Sequence, residues 1–310
     1  MAESVRGQFV WHELMSSNPK AAIAFYKDLV GWKPRPWENP NHDYTMMTMA
    51  GGRKAGIMEL PDPTAPTHWM CYIGTPNVDA TARQTTELGG KVLKPVSDIP
   101  DVGRFAILQD PQGAIFVGFT PAPTEHMPAN TKIAVGDFSW HELITTNWQA
   151  AFDFYQKLFG WEKLDSMEMG PGNVYQMFGW KGKAMLGGMF NKSPQMPGPP
   201  MWLPYALVPD SKKVADMLPR LGGKVTHGPA EVPGGDWITQ LTDPQGVMFA
   251  VHSKKQAAAA TPAAKRKTAP AKRSKPARKA KAAAKAKRKP SKKVKPARKK
   301  TGRAKARRRS

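Results

Sequence analysis

The alternation of hydrophobic and polar residues predicts two matched amphipathic helices, 129 positions apart along the chain. Asn18 followed by Pro19 is a typical helix start, because the asparagine side chain caps free backbone N–H groups and proline is tolerated in the first turn. Gly31 and Gly160 end the two helical runs, where a left-handed backbone costs least in glycine. Residues at helical spacing give each run one apolar face: Ala22, Phe25, Tyr26, Leu29 and Val30, then Ala151, Phe154, Tyr155, Leu158 and Phe159.

Shorter apolar runs bounded by turn residues predict β-strands around these helices. Two further helices are predicted over 78–88 and 211–221, and Pro219 should shorten the last turn of the second one. Asp-Pro-Gln-Gly occurs at 110–113 and 243–246, with proline and glycine where a tight hairpin turn needs them. The predicted strands cover residues 8–15, 44–49, 55–60, 68–73, 105–109, 114–119 and 137–144.

The chain repeats itself once, with nearly constant spacing. Trp11-His12-Glu13-Leu14 returns as Trp140-His141-Glu142-Leu143, 129 positions later. Leu-Gly-Gly-Lys-Val at 88–92 and the Asp-Pro-Gln-Gly turn both recur after 133 positions. Blocks in the same order indicate a duplicated domain, and each copy reads as two βαβββ modules. We therefore predict an α+β protein with domains at 7–122 and 136–253, joined by a linker at 123–135.

Charge divides the chain into a nearly neutral first part and a strongly basic tail. Of the 47 Lys and Arg residues, 26 lie between Lys254 and Ser310, where there is no Asp or Glu. Residues 1–253 contain the other 21 basic residues and all 24 acidic residues, so their net charge is near −3, and that of the tail is near +26. Val294 is the only large apolar residue of the tail. The tail, 254–310, is therefore predicted to be disordered, because it cannot bury enough apolar surface to offset the entropy of ordering it.

The tail resembles the C-terminal tails of linker histones and of the histone-like proteins of some bacteria. It has no aromatic residues for base stacking, and Gln256 is its only amide side chain. Such a tail is expected to bind nucleic acid or another polyanion through phosphate groups, without sequence preference; DNA, RNA and polyphosphate stay open as partners. The candidate contact residues are Lys265, Arg266, Lys267, Lys272, Arg273, Arg278, Lys279, Arg288, Lys289, Arg298, Lys299, Lys300, Arg307, Arg308 and Arg309.

Cysteine usage and the absence of targeting signals bear on location. Cys71 is the only cysteine, which excludes an intramolecular disulfide and suits a reducing compartment. The first residues lack a signal-peptide pattern, and no stretch approaches the roughly 18 apolar residues of a membrane span. We expect a cytoplasmic protein without a membrane partner, associated with the nucleoid if the tail binds DNA there.

The repeated motifs resemble those of the vicinal oxygen chelate superfamily, which includes glyoxalase I, the bleomycin-resistance proteins and the extradiol dioxygenases. The resemblance rests on the Phe-Tyr-x-x-Leu-x-Gly-Trp helix ends, the Leu-Gly-Gly-Lys-Val turns and the Asp-Pro-Gln-Gly hairpins. It covers 7–122 and 136–253 and implies two glyoxalase-like domains, each with a mixed sheet cupped around a pocket. Two domains in one chain can make the pairing that single-domain relatives make by dimerising, so a monomer is compatible with this arrangement and the oligomeric state stays open.

The resemblance also implies metal ligands on the first and last strands of the modules, and this chain lacks most of them. The positions that match fall on Trp11 and Trp140 in the first strands and on Val117 and Ala250 in the last strands, and none of these side chains is a metal ligand. Glu59 falls on another ligand position, and His68 lies near a further one. A divalent metal cofactor stays an open alternative, because a shift of one residue would place histidines at the first-strand position; its candidate ligands are His12, Glu59, His68 and His141.

The first strand of each copy supplies the candidates for a pocket without metal. Strand alternation places Trp11 and Glu13 on one face and His12 on the other, where it would pack against the helix; the second copy repeats this order. An aromatic residue beside a carboxylate suits a flat or cationic organic ligand, and a desolvated Glu can act as a general base. The competing interpretation is core packing. The candidate catalytic residues are Glu13 and Glu142, and the candidate pocket residues are Trp11, Trp140, Glu59, His68, Tyr72 and Tyr205.

Two other residues bear on the pocket. Cys71 should point away from it, and the sequence offers no partner that would make this thiol a nucleophile. Arg104 lies where the second copy has Trp237, a difference that hints that one pocket at most binds an anion.

Three functions compete at this stage. The first is a glyoxalase-like or bleomycin-resistance-like protein that binds a small organic ligand, with a basic tail that associates with nucleic acid. The second is an enzyme of the same superfamily, a lyase, isomerase or dioxygenase, with an atypical metal site or a metal-free carboxylate base. The third is a histone-like nucleoid protein whose folded part is structural.

Overall fold

A computed structural model of the protein describes residues 5–37, 44–123, 132–182 and 185–255. Met1–Ala258 form one compact unit, and the second unit begins at Ala259, outside the described residues. Every candidate nucleic-acid contact in the tail, from Lys265 to Arg309, also lies outside them, as does most of the predicted linker. Among the described residues, no helix is long and apolar enough to cross a membrane.

The first domain contains two βαβββ modules in chain order. Its elements are β1 (Phe9–Ser16), α1 (Pro19–Val30), β2 (Lys33–Pro36), β3 (Tyr44–Thr48), β4 (Lys54–Glu59), β5 (His68–Gly74), α2 (Val78–Glu87), β6 (Lys91–Ile99), β7 (Gly103–Gln109) and β8 (Ile115–Pro121).

The second domain repeats this order. Its elements are β9 (Phe138–Thr145), α3 (Trp148–Phe159), β10 (Glu162–Glu168), β11 (Val174–Gly179), β12 (Met185–Asn191), β13 (Met201–Leu207), α4 (Ser211–Met217), a 3₁₀ helix (Leu218–Leu221), β14 (Lys224–Glu231), β15 (Trp237–Thr242) and β16 (Met248–Ser253).

Each domain forms one mixed sheet of eight strands, which confirms the predicted α+β class and the duplicated modules. The strand orders are β2-β3-β4-β1-β5-β8-β7-β6 and β10-β11-β12-β9-β13-β16-β15-β14. In the first sheet β1 pairs in parallel with β4 and antiparallel with β5, so the two modules meet at the centre. The first strands, which carry the candidate carboxylates, therefore lie in the middle of their sheets.

The helix ends follow the predicted capping pattern. The Asn18 side chain accepts a hydrogen bond from the backbone N–H of Ala21 at 3.1 Å, and Gly31 ends α1 with a φ of 76°. Asn147 and Gly160 do the same for α3. As expected from Pro219, α4 ends at Met217 and continues only as the short 3₁₀ helix.

The two domains pack through the sheet faces that carry the helices. One hydrophobic cluster joins Phe25 and Leu29 of α1 to Phe249 and Val251 of the second sheet. A second cluster joins α3 to the first sheet through residues such as Phe116. Each first helix thus packs against the sheet of the other domain, and the opposite faces of both sheets point away from this interface.

The motif residues that carry the family resemblance connect the two domains. The Tyr26 hydroxyl donates to Asp243 Oδ2 at 3.2 Å, and the Tyr155 hydroxyl donates to Asp110 Oδ2 at 3.1 Å. The other oxygen of each aspartate accepts backbone N–H groups of its own Asp-Pro-Gln-Gly turn. Each helix-end tyrosine therefore fixes the hairpin turn of the other domain.

The helix-end tryptophans make a second pair of matched connections. The indole N–H of Trp32 donates to the carbonyl of Gly136 at 2.7 Å, and that of Trp161 donates to the carbonyl of Gly7 at 2.9 Å. Each glycine lies two residues before the first strand of the other domain. The repeated Phe-Tyr and Gly-Trp motifs are thus explained by domain packing.

Candidate functional site

The sheet faces that point away from the domain interface carry the candidate carboxylates. Trp11 packs with the cluster that lines this face of the first sheet, where Met70 and Tyr72 are buried. Trp140 does the same in the second sheet, together with Leu203 and Tyr205. We call these faces the first cup and the second cup. The predicted alternation along both first strands agrees with this placement.

In the first cup, Glu13 lies at the centre of a hydrogen-bond network of aromatic residues. Tyr44 donates to Glu13 Oε1 at 2.8 Å and Tyr72 donates to Oε2 at 2.7 Å. The indole N–H of Trp11 donates to the Tyr44 hydroxyl at 3.1 Å. Gly56, paired with Glu13 on β4, leaves the space that Tyr44 fills, because a Cβ there would overlap the phenol ring. Glu13 is 5% exposed, and each of its carboxylate oxygens accepts one hydrogen bond from a tyrosine.

The second cup repeats the network and adds one amide. Tyr205 donates to Glu142 Oε2 at 3.0 Å, and Trp140 donates to the Tyr175 hydroxyl at 2.7 Å. Gln240 Nε2 lies 2.9 Å from Glu142 Oε2 and 2.7 Å from the Tyr205 hydroxyl, so the amide donates to both. Tyr175 also hydrogen-bonds to Glu142.

Burial changes the acid–base properties of both carboxylates. It raises the pKa of Glu142 to about 7, although hydrogen bonds from Tyr175, Tyr205 and Gln240 act in the opposite direction. Burial also raises the pKa of Glu13, although hydrogen bonds from its two tyrosines and the electrostatic effect of nearby basic residues, Lys94 among them, act in the opposite direction. The pKa values of the four tyrosines lie well above 10 because they are buried beside a carboxylate, so their hydroxyls stay protonated and donate.

The residues at the superfamily's metal-ligand positions do not fit a metal. Trp11 and Trp140 offer only indole groups there, and Val117 and Ala250 are fully buried apolar residues of the cups. Within the described parts of the chain, no three His, Cys, Asp or Glu side chains converge as a metal site would require. The arrangement supports chemistry of carboxylates and phenols.

The prediction that Glu59 lines the pocket is wrong. Glu59 pairs with Ser16 and shares a face of β4 with Ile57, which belongs to the cluster at the domain interface. Its neighbour Met58 pairs with Met15, which packs in the first cup. The assumed register was therefore one residue out on β4, and Glu59 lies exposed on the opposite side from Glu13.

His68 lies on the cup side, as predicted for a pocket residue. It pairs with Met15 and shares the face of Met70 and Tyr72 on β5. Its Nδ1 lies 2.7 Å from the carbonyl of Pro66, which fixes the proton on Nδ1 and leaves Nε2 as an acceptor in the neutral ring.

His12 and His141 form a buried pair between the domains, so neither reaches a cup. Their Nε2 atoms lie 2.7 Å apart, and each ring stacks on a phenylalanine of the other domain. His141 Nδ1 donates to the carbonyl of Leu186, so its Nε2 accepts the proton of His12 Nε2. The prediction that these histidines face a helix was wrong, because the faces of β1 and β9 meet directly at this point. Burial lowers both pKa values, that of His141 to about 3.

The remaining candidates divide between the two faces. Tyr72 and Tyr205 lie in the cups, whereas Cys71 is buried on the interface side, and burial raises the pKa of its thiol. Arg104 forms ion pairs with Asp79 on α2 at 2.6 Å and with Asp98 at 2.7 Å. It therefore points away from the first cup, and its difference from Trp237 gives no information on anion binding.

Sequence reasoning missed four cup residues. Tyr44 and Tyr175 complete the two carboxylate networks, and the repeated Tyr-x-Met at 44–46 and 175–177 was a signal that could have identified them. Gln240 and Lys94 occur in one copy only, so the comparison of the two repeats could not reveal them. An open surface cavity of about 630 Å³, lined by residues such as Lys163 and Trp180, contains none of the cup residues.

Family models match both domains. Residues 12–117 match the "Glyoxalase-like domain" and residues 137–251 match the "Glyoxalase/Bleomycin resistance protein/Dioxygenase superfamily". The chain is 40% identical over 120 residues to "Putative glyoxylase CFP32" of Mycobacterium tuberculosis, which covers 38% of this chain and 46% of that relative, so less than half of the relative's length is spanned. It is 27% identical over 266 residues to the anthracycline biosynthesis protein DnrV of Streptomyces peucetius, covering 81% and 94% of the two chains.

Solved structures share the fold at low sequence identity. The Mn(II)-bound glyoxalase from Novosphingobium aromaticivorans aligns with a TM-score of 0.55 at 17% identity, over 82% of this chain and 83% of that one. The 2,2',3-trihydroxybiphenyl 1,2-dioxygenase from Sphingomonas wittichii aligns with a TM-score of 0.56 at 11% identity, over 81% and 90%. With its two matched domains and this shared fold, the chain belongs to the glyoxalase/bleomycin resistance protein/dioxygenase superfamily as a tandem, two-domain member.

Proposed function

We propose that the protein binds a flat organic molecule in each cup, with the buried glutamate accepting a hydrogen bond from a hydroxyl or amine of the ligand. The observation that carries this proposal is the matched network of one tryptophan, two tyrosines and one glutamate in both cups. Both glutamates lie on the sheet faces that point away from the domain interface, where a ligand can approach them. A carboxylate with a purely structural role would not need this position.

The chemistry of the cups indicates the ligand class. The second cup combines Trp140, Tyr175 and Tyr205 with methionines at 167, 177, 201 and 248. Aromatic rings and polarisable thioethers favour contact with flat aromatic molecules, and one buried acceptor orients them. DnrV, which aligns with both domains, is named for anthracycline biosynthesis, and this name supports a polycyclic aromatic compound as the ligand class.

The test is calorimetric titration of the full chain with 2-naphthol, a flat probe with one hydroxyl. Two sites per chain are expected, and Glu13→Gln and Glu142→Gln should each weaken one site by roughly tenfold, the cost of a hydrogen bond to a charged or polarised acceptor. Glu59→Gln is the matched control, since this residue lies on the other face of its sheet. Absence of binding, or equal binding by all three variants, would refute the proposal. Native mass spectrometry with elemental analysis of the purified chain would identify any ligand or metal that remains bound.

A second function, proton transfer, is favoured by one specific observation. Burial raises the pKa of Glu142 to about 7, where a carboxylate exchanges protons most effectively at neutral pH. Glu142 would remove a proton from a carbon next to a carbonyl group, and the resulting carboxylic acid would return it to the adjacent carbon, so the reaction is an isomerisation without redox change.

This activity can be tested with the hemithioacetal of methylglyoxal and glutathione in D₂O, followed by proton NMR. The full chain should convert the adduct to its thioester isomer, Glu142→Gln should abolish the conversion, and Glu59→Gln should retain it. Unchanged turnover in Glu142→Gln would exclude this carboxylate as the base.

For the tail we propose non-specific association with nucleic acid or another polyanion. The support is the sequence alone: 26 basic residues without one acidic residue between Lys254 and Ser310. The full chain should bind a mixed-sequence DNA duplex, and the logarithm of the affinity should fall with the logarithm of the salt concentration at a slope near −9 if about ten phosphates are contacted. A chain that ends at Lys255 should not bind. If that truncation loses every cellular effect of the protein, the histone-like alternative replaces the ligand-binding one.

A further inference from the structure

The two cups differ in charge although their aromatic networks match. The first cup has Lys94 and Ile107 where the second has His227 and Gln240, residues that pair across the two outer strands of each sheet. His68 of the first cup corresponds to Met201 of the second, since each pairs with the matching residue of its first strand. The first cup therefore carries a permanent positive charge that the second cup lacks at the same position.

Three observations place the Lys94 side chain on the cup side of the first sheet. Its pairing partner Ile107 packs in the first cup with Phe105. The Lys94 ammonium lies 4.9 Å from the centre of the Phe105 ring. Its charge also acts on Glu13 and lowers the pKa of that carboxyl. The attraction between an ammonium and an aromatic face helps to keep the lysine above the cup.

In the second cup, neutral side chains donate hydrogen bonds to the carboxylate of Glu142. Gln240 binds both Glu142 and Tyr205, so the amide takes the place that the apolar Ile107 holds in the first cup. Burial raises the pKa of Glu142, and hydrogen bonds from Tyr175, Tyr205 and Gln240 lower it in part. A ligand in the second cup therefore meets a hydrogen-bonding surface, and a ligand in the first meets a carboxylate on one side and an ammonium on the other.

We propose that the first cup selects flat ligands that carry an acidic group in addition to a hydroxyl, whereas the second cup takes the uncharged hydroxyl compound. This inference rests on the proposed function of the cups. Glu13 would accept a hydrogen bond from the ligand hydroxyl, and Lys94 would pair with the ligand carboxylate. The acidic ligand is disfavoured in the second cup, because its carboxylate would approach Glu142 without a cation to compensate.

The test compares 2-naphthol with 6-hydroxy-2-naphthoate by calorimetric titration of the full chain. The naphthoate should bind one site per chain, and Lys94→Gln should weaken that site by roughly tenfold, as expected for the loss of a charge-assisted hydrogen bond. Lys20→Gln on α1, an exposed residue away from the cups, is the control with the same change of charge and should bind normally. Higher salt should weaken the naphthoate complex and leave the 2-naphthol complex unchanged.

A gain-of-function variant makes the test independent of folding defects in Lys94→Gln. His227 is exposed on β14, so His227→Lys should fold normally and raise the number of naphthoate sites from one to two. If 2-naphthol binds but the naphthoate binds both cups with equal affinity, the inference is overturned while the proposed function stands. The same conclusion follows if Lys94→Gln does not change the naphthoate affinity. Binding of the naphthoate alone overturns the inference as well, because the second cup then does not take the uncharged hydroxyl compound. Binding of neither probe overturns both.

Discussion

Glu142 gives the sharpest quantitative prediction, because its buried carboxyl couples proton binding to folding. Burial raises its pKa from the ordinary 4.5 to about 7, so the folded protein holds this proton more tightly than the unfolded chain does. We expect the Glu142→Gln variant, whose side chain does not titrate, to lose this pH dependence while it keeps the size of the residue and one acceptor oxygen.

The sign and size of the effect follow from the two pKa values. Below pH 4.5 the carboxyl is protonated in both states, so its contribution to stability is fully present there. As the pH rises from 4.5 to about 7, the unfolded chain ionises while the folded chain does not, and this contribution is lost. At about 1.4 kcal/mol for each pKa unit, the wild type should lose about 3 kcal/mol relative to Glu142→Gln over this window.

The assay is urea unfolding of both proteins at half-unit steps from pH 4 to pH 8, followed by tryptophan fluorescence. The difference between the two free energies of unfolding isolates Glu142, since Asp110, Asp243 and the buried histidines titrate equally in both proteins. Glu59→Gln serves as the control and should follow the wild type, because Glu59 is exposed. A difference that stays constant between pH 4.5 and 7 would refute the reasoning, since it would show that water solvates the Glu142 carboxylate.

Three further changes test the packing that positions the cups. Tyr26→Phe removes the hydrogen bond to Asp243 and leaves the indole N–H of Trp69 without its acceptor. The free energy of unfolding in urea should therefore fall by about 1–3 kcal/mol. An unchanged free energy would show that the backbone N–H groups of the turn satisfy Asp243 without the tyrosine. Gly188→Ala places a Cβ inside the Tyr175 ring and should abolish 2-naphthol binding in the second cup only, as read from the calorimetric stoichiometry; two remaining sites would contradict this. The free energy of unfolding should fall as the pH drops below 6.5, because the buried histidines take up protons in the unfolded chain before they do so in the folded protein. His141→Gln should make this pH dependence less steep. An unchanged pH dependence would assign it to other groups.

The sequence predicted the central elements of the fold well and the edge strands poorly. Both faces of β1 and β9 carry buried side chains, and the apolar residues among them made these strands easy to predict. β2 is fully exposed and β6 nearly so, and both lie at the edges of the first sheet, so no alternating pattern marks them. Only the topology implied by the repeat predicted that strands lie there.

The candidate site was predictable where both repeats carry the same residue. Glu13 and Glu142 were found because alternation along a central strand fixes which side chains share a face. Glu59 failed because β4 contacts β1 in a register that no local pattern reveals, and an error of one residue moves a side chain to the other face. Lys94 was missed because β-bulges interrupt the alternation on β6 between it and its neighbours.

The position of the carboxylates explains how this member of the superfamily can differ in chemistry while it keeps the fold. In each cup the residue at the metal-ligand position is a tryptophan, and the glutamate lies two residues later on the same strand face. The indole N–H donates to a tyrosine, and that tyrosine donates to the glutamate, so the tryptophan at the ligand position supports the carboxylate instead of supplying a metal ligand. A metal at Glu13 would need further ligands that the described residues of the first cup do not supply, whereas a ligand hydroxyl needs only one free lone pair of the same carboxylate. The network therefore favours an organic hydrogen-bond donor over a metal ion in both cups.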